Sequence, residues 1–226
     1  MINILGLTFH LYGLIIGIAV VLAFGISRIL AIKRGVDEKF MEGAFYWTVS
    51  MGLLGARLYH VIDYWERYYS QSPVRVLYIW EGGLAIWGAV VGGLIGLWIF
   101  WRLKNRRVDF WGLTDIGVVG LPLAQAIGRL GNLVNGELYG KDGQPLFAYE
   151  GGMNLLLFAL LCRLSVGKKT GVLTGVYLVG YGTIRLILEN LRLEKDIWRV
   201  AGTPVAMIFG IVAILAGLCL ISRKQS

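Results

Sequence analysis

The sequence predicts an all-α, polytopic membrane protein of about seven spanning helices. Three observations carry that prediction: an apolar composition, seven apolar runs near spanning length, and basic residues clustered in the connections between them. Of 226 residues, 57% are hydrophobic and 16% charged, with a mean hydropathy of +0.67. Soluble domains carry about 25% charged residues, so a chain this apolar suits lipid as its solvent. The 32 glycines fit helices that pack closely without a hydrophobic drive between them, and only 4 prolines interrupt them.

A helix needs about 20 apolar residues to cross the hydrocarbon core. The first run, Leu7–Leu30, is too long for a signal-peptide core and has no basic segment before it, so it is expected to be a retained span. Ala44–Ile62 and Leu84–Trp101 follow, the latter flanked by the pairs Gly82-Gly83 and Gly92-Gly93. Phe110–Val134 is long and ends in polar residues. Met153–Leu164 is short unless its helix begins near Phe147; Val172–Leu191 and Pro204–Ile221 complete the set. With no repeat or linker between them, residues 1–226 read as one transmembrane domain with a short external segment around 136–148.

The net charge of +8 would suit nucleic acid or an anionic surface. Its distribution decides for membrane orientation. Arg28, Lys33, Arg34, Lys39, Arg102, Lys104, Arg106, Arg107, Arg163, Lys168, Lys169, Arg223 and Lys224 fall on one side, against Arg67, Arg75, Lys141, Arg192, Lys195 and Arg199 on the other. The positive-inside rule then places the amino terminus outside and the carboxyl terminus in the cytoplasm. The outer connections are rich in Trp and Tyr (Tyr59, Tyr64, Trp65, Tyr68, Tyr69, Tyr78, Trp80), as expected of a bilayer interface. Cys162 and Cys219 lie inside apolar runs, where a disulfide framework is not expected.

Ionisable residues within spans are costly and usually face a partner or a polar cavity. Span two carries Arg57, His60 and Tyr64 on one helical stripe. Span four carries Gln125, Arg129 and Asn132 before Asn135-Gly136-Glu137, with Asp115 on the same face three turns nearer the cytoplasm. Span six carries Tyr181, Arg185, Glu189 and Arg192 on one stripe. These groups could simply pair to fix helix packing: Arg185 with Glu189 makes a credible ion pair, and Arg57 could extend to the interface. Arg57, Arg129 and Arg185 all lie in the outer part of their spans, however. A surplus of guanidinium there calls for an anion, and a phospholipid phosphate is the anion at that depth, bound by the planar arginine fork.

The run Gly128-Arg129-Leu130-Gly131-Asn132-Leu133-Val134-Asn135-Gly136-Glu137-Leu138-Tyr139-Gly140 closely resembles the signature of the prolipoprotein diacylglyceryl transferase family. In order along the chain, His10-Leu11-Tyr12-Gly13-Leu14, Gly55-Ala56-Arg57-Leu58-Tyr59, Tyr149-Glu150, and Tyr177 through Tyr181, Arg185, Glu189 and Arg192 resemble other motifs of that family.

The resemblance implies transfer of diacylglyceryl from phosphatidylglycerol to the lipobox cysteine of a prolipoprotein signal peptide. A thioether forms and glycerol phosphate leaves, in the bacterial cytoplasmic (inner) membrane with the site towards the outer leaflet. It implies Arg129 and Arg185 as phosphate and leaving-group stabilisers, with Glu137 as the third catalytic candidate. Tyr12, Arg57, Asn132, Gly140, Tyr181 and Glu189 are implied to bind the lipid. No cofactor, metal or nucleic acid is called for.

The sequence departs from the family in two places. Many members carry a histidine, a candidate base, where this chain has Trp87; His60, Glu137 and Glu150 are the possible substitutes. The external segment from Lys141 to Phe147 is also reduced. Two other readings therefore stand beside the transferase: a paralogue that modifies a different acceptor, and a lipid-binding or transport protein without catalysis.

Overall fold

The computed structural model describes residues 2–4, 7–9, 11–104, 108–165 and 169–223. His10, Arg106, Arg107, Lys168 and Lys224, used above for motif and orientation, lie outside the described residues. Among the described residues are seven long helices: α1 (Leu11–Lys33), α2 (Glu38–Asp63), α3 (Ile86–Leu103), α4 (Phe110–Asn135), α5 (Leu146–Leu164), α6 (Val172–Glu189) and α7 (Val205–Ser222). Among the described residues there are also two small antiparallel hairpins, one before α1 and one between α6 and α7. In the first, β1 (Ile2–Ile4) pairs with β2 (Leu7–Phe9), Ile2 opposite Phe9; in the second, β3 (Arg199–Val200) pairs with β4 (Thr203–Pro204), Arg199 opposite Pro204.

Six of the helices are long and apolar enough to cross a membrane. The exception is α2, where Arg57, His60 and a series of Tyr, Trp, Thr and Ser residues dilute the apolar run without shortening the helix. The fifth helix begins at Leu146 rather than Met153, which brings it to spanning length. Many large apolar side chains, among them Leu156, Ile62 and Ile86, are exposed, as lipid-facing positions must be in a chain whose backbone polar groups are satisfied within helices.

The chain divides into two compact units, one of residues Met1–Leu30 and Trp111–Ser226, the other of Ala31–Phe110. In the first, α6 and α7 approach through glycines: a Cβ on Gly175 would sit 2.7 Å from the Gly217 carbonyl, and one on Gly182 2.7 Å from the Gly210 carbonyl. The amino end of α6 is capped from another helix. The buried carboxylate of Asp115 on α4 accepts from the Gly171 and Thr174 amides at 2.8 and 2.7 Å and from the Thr174 hydroxyl at 2.7 Å. That satisfies amides left unpaired at a helix start and places negative charge at the positive end of the dipole. In the second unit, α2 and α3 meet through Gly55, Gly88 and Gly92, where added side chains would strike the facing backbone.

Candidate active site

Helix α4 ends at Asn135, and Gly136 takes the left-handed conformation (φ 67°) that lets the Glu137 amide fold back to the Asn132 carbonyl at 2.9 Å. Arg129 and Asn132 therefore stand in the last two turns of α4, with Glu137 just beyond. Glu150 stands in the first turns of α5, and Tyr181, Arg185 and Glu189 in the last turns of α6. The carboxyl ends of α4 and α6 thus meet the amino end of α5, gathering polar groups from three helices at one end of the first unit.

Glu150 joins them. It is 1% exposed, and its two oxygens serve different arginines: Oε1 lies 2.8 Å from Arg129 Nη2, and Oε2 lies 3.6 Å from Arg185 Nη1. Arg185 Nη2 bonds to Glu189 Oε2 at 3.0 Å, the pair anticipated from spacing, and Arg192 reaches the same oxygen at 3.6 Å. Arg129 Nη1 donates to Asn132 Oδ1 at 2.9 Å. Tyr181 stands within electrostatic reach of Glu150, Arg185 and Arg129.

Three guanidiniums against two buried carboxylates leave one formal positive charge over. Among the described residues, the buried Nε groups of Arg129 and Arg192 have no hydrogen-bond partner. The cluster therefore offers both charge and donors to an oxyanion. Glu137 differs from the other two carboxylates: it is exposed and, among the described residues, accepts from the side-chain amides of Asn132 and Asn135, each at 3.4 Å.

Tyr12 packs its ring against Gly131, where a Cβ would overlap it, so the first helix borders the same site. Gly140 is buried and pairs with Arg192 in an isolated antiparallel bridge; the Lys141 amide donates to the Leu191 carbonyl at 3.0 Å. The connection between α4 and α5 is thereby stitched to the chain leaving α6. Beyond it, Arg199 donates to Glu194 at 2.8 Å and Lys141 lies 3.5 Å from the same residue. The Arg199 guanidinium holds the exposed Glu194 carboxyl below the usual carboxylate range, with Lys141 adding to the effect.

Arg57 belongs to the second unit, and its donors are already used. All five N–H groups point to backbone carbonyls: Nε to Val76 at 2.9 Å, Nη1 to Gly82 and Gly83 at 2.7 and 3.1 Å, and Nη2 to Arg75 and Tyr78 at 2.5 and 3.2 Å. The guanidinium lies over the buried Tyr69 ring, 5.3 Å from its centroid. Its place among the span arginines suggests a phosphate ligand; here the side chain ties the connection 73–83 to α2. His60 bonds through Nδ1 to the Tyr69 hydroxyl at 3.0 Å and stacks on Tyr64 at 4.6 Å. A cavity of about 280 Å³ opens beside these residues and Gly82-Gly83.

Sequence periodicity found the α4 and α6 stripes, while Glu150 entered only through the family resemblance, as part of Tyr149-Glu150 and a possible base. Its signal was a carboxylate near the start of an otherwise apolar helix.

Comparison with known proteins identifies the family. The family model described as prolipoprotein diacylglyceryl transferase matches residues 1–223. A phosphatidylglycerol–prolipoprotein diacylglyceryl transferase of Symbiobacterium thermophilum is 37% identical over 96% of this chain and 88% of its own length. Proteins of the same name from Synechococcus elongatus and Finegoldia magna are 36% and 31% identical, over 94% and 96% of this chain and 82% and 92% of theirs.

Proposed function

The chain belongs to the prolipoprotein diacylglyceryl transferase family, and from that premise we propose how its own residues move diacylglyceryl from phosphatidylglycerol to the lipobox cysteine of a prolipoprotein. The family match favours neither a different acceptor nor a non-catalytic scaffold. The observation that carries the mechanism is the buried carboxylate of Glu150 held between Arg129 and Arg185.

The thiol sulfur bonds to the diacylglyceryl carbon as the bond from that carbon to the phosphate oxygen breaks, and glycerol phosphate departs with the electron pair. Charge grows on the leaving oxygen, and fixed donors aimed there stabilise the transition state more than the ground state. Arg129 and Arg185 supply those donors. Glu150 and Glu189 hold the two forks in place before substrate arrives, so little reorganisation is needed as charge develops. Asn132, Tyr181 and Tyr12 shape the head-group site, and the bridge at Gly140 fixes its outer wall.

The thiol proton goes to a base, and Glu137 is the carboxylate free to take it, since Glu150 and Glu189 are both engaged by arginines. The positive surplus of the cluster also favours the thiolate, the nucleophilic form of cysteine. The site faces the outer leaflet of the bacterial cytoplasmic membrane. This orientation rests on the basic bias of the connections.

Purified protein given phosphatidylglycerol and a lipobox peptide should add diacylglyceryl mass to the peptide and release glycerol phosphate, with no gain on a Cys-to-Ser peptide. Folded protein that leaves the cysteine peptide unmodified would overturn the assignment.

A further inference from the structure

We propose that Gln125, Asn154 and Tyr177 form a hydroxyl-binding tier one helical turn deeper in the membrane than the arginine–glutamate cluster. The tier would take either a hydroxyl of the lipid's head glycerol or a water molecule.

Each of the three stands four residues inward from a member of the cluster: Gln125 from Arg129 on α4, Asn154 from Glu150 on α5, and Tyr177 from Tyr181 on α6. Four residues are about 6 Å along a helix, so three separate helices present a polar side chain at one depth. Tyr177 and Tyr181 stack in parallel, their rings 5.9 Å apart. Gln125 Nε2 donates to the Tyr177 hydroxyl at 3.0 Å.

Asn154 is wholly buried, and among the described residues neither its Oδ1 nor its Nδ2 has a hydrogen-bond partner; Gln125 Oε1 is likewise buried and unpartnered. Buried amides are normally satisfied by protein or by ordered water. A pure packing role would be filled better by leucine, which carries no desolvation penalty.

The unmet groups identify the ligand's chemistry. They include acceptors (Asn154 Oδ1, Gln125 Oε1) and a donor (Asn154 Nδ2). Exchanging oxygen and nitrogen in either amide leaves both kinds unmet. A phosphate or ester oxygen only accepts, and an ammonium only donates. A hydroxyl does both, and the head glycerol of phosphatidylglycerol carries two of them. The lipid arm of this proposal rests on the function assigned above; the water arm does not.

The test compares phosphatidylglycerol with phosphatidylpropanol of the same acyl chains, which lacks the head hydroxyls. Both are given to wild type, Asn154→Leu and Gln125→Met. Transfer to a lipobox peptide is followed together with lipid retention by native mass spectrometry and a high-resolution structure in lipid nanodiscs.

If a head hydroxyl occupies the tier, wild type favours phosphatidylglycerol by about tenfold, the worth of one good hydrogen bond, and both variants lose most of that preference. If water occupies it, wild type handles the two lipids alike, and density for an ordered molecule appears among the three side chains and disappears in Asn154→Leu. A preference unchanged by both substitutions, or no preference and no density, would overturn the proposal. Wild type that retains phosphatidylglycerol but transfers nothing would instead count against the assigned function, and lipid retention would still read the tier.

Discussion

Glu150 Oε1 lies 2.8 Å from Arg129 Nη2, joining the start of α5 to the end of α4 across twenty-one residues of sequence, with the carboxylate buried and the guanidinium part-exposed. The other oxygen of the same carboxylate faces Arg185. One buried anion thus holds two cations that would otherwise repel each other. Removing one partner from such an arrangement leaves uncompensated charge out of water, typically costing about 3–5 kcal/mol.

Glu150→Gln should therefore lower stability by roughly that amount and reduce transfer at least about tenfold, because both forks lose their anchor. Thermal unfolding in detergent and initial rates with phosphatidylglycerol check the two effects. A variant with normal rate and reduced stability would restrict Glu150 to holding the fold.

Arg129→Lys and Arg185→Lys keep the charge but lose the planar fork. Each is expected to lower turnover by about 10²–10³-fold, the usual cost of losing one donor to a developing oxyanion. Lipid retention should change far less. Weakened lipid retention with unchanged turnover would mean that the arginines contribute uniform binding only.

Arg57→Lys should behave differently. Lysine's compact ammonium cannot replace a fork serving five carbonyls, and hydrogen bonds to charged groups contribute about 1.5–3 kcal/mol each. The connection 73–83 should become sensitive to limited proteolysis in the variant. If only the KM for phosphatidylglycerol rose, with the connection still protected, Arg57 would be a lipid ligand instead.

Acid should loosen the pairing of Glu194 with Arg199. Because the folded-state pKa of Glu194 is lowered, its contribution is present above the ordinary carboxylate pKa and is lost as pH falls through the lowered value. The pair is exposed, so its effect is small and screened by salt. The difference in melting temperature between wild type and Glu194→Gln should shrink below about pH 4 and at high ionic strength. A difference independent of both would contradict the ion pair.

The motif around Arg129 and the helical stripes of α4 and α6 were legible in the sequence, because a 3.6-residue period assigns each side chain a face and a depth whatever lies opposite. Most spanning lengths were legible for the same reason, but Leu7–Phe9 is strand rather than helix, α2 begins at Glu38 rather than Ala44, and the start of α5 was displaced. There Tyr149, Glu150 and the glycines after them weaken the apolar signal, and only the helix itself shows that it begins at Leu146.

What the sequence determined alone was membrane residence, the number and order of long helices, the motif, and a surplus of arginine within the spans. Tertiary structure decided which groups those arginines meet. Arg129 and Arg185 share a carboxylate from a third helix, Asp115 caps α6 rather than serving the cluster at the other end of α4, and Arg57 spends its donors on carbonyls. Periodicity describes one helix at a time, whereas these pairings depend on how helices cross and on backbone oxygens that every residue carries and no sequence pattern marks.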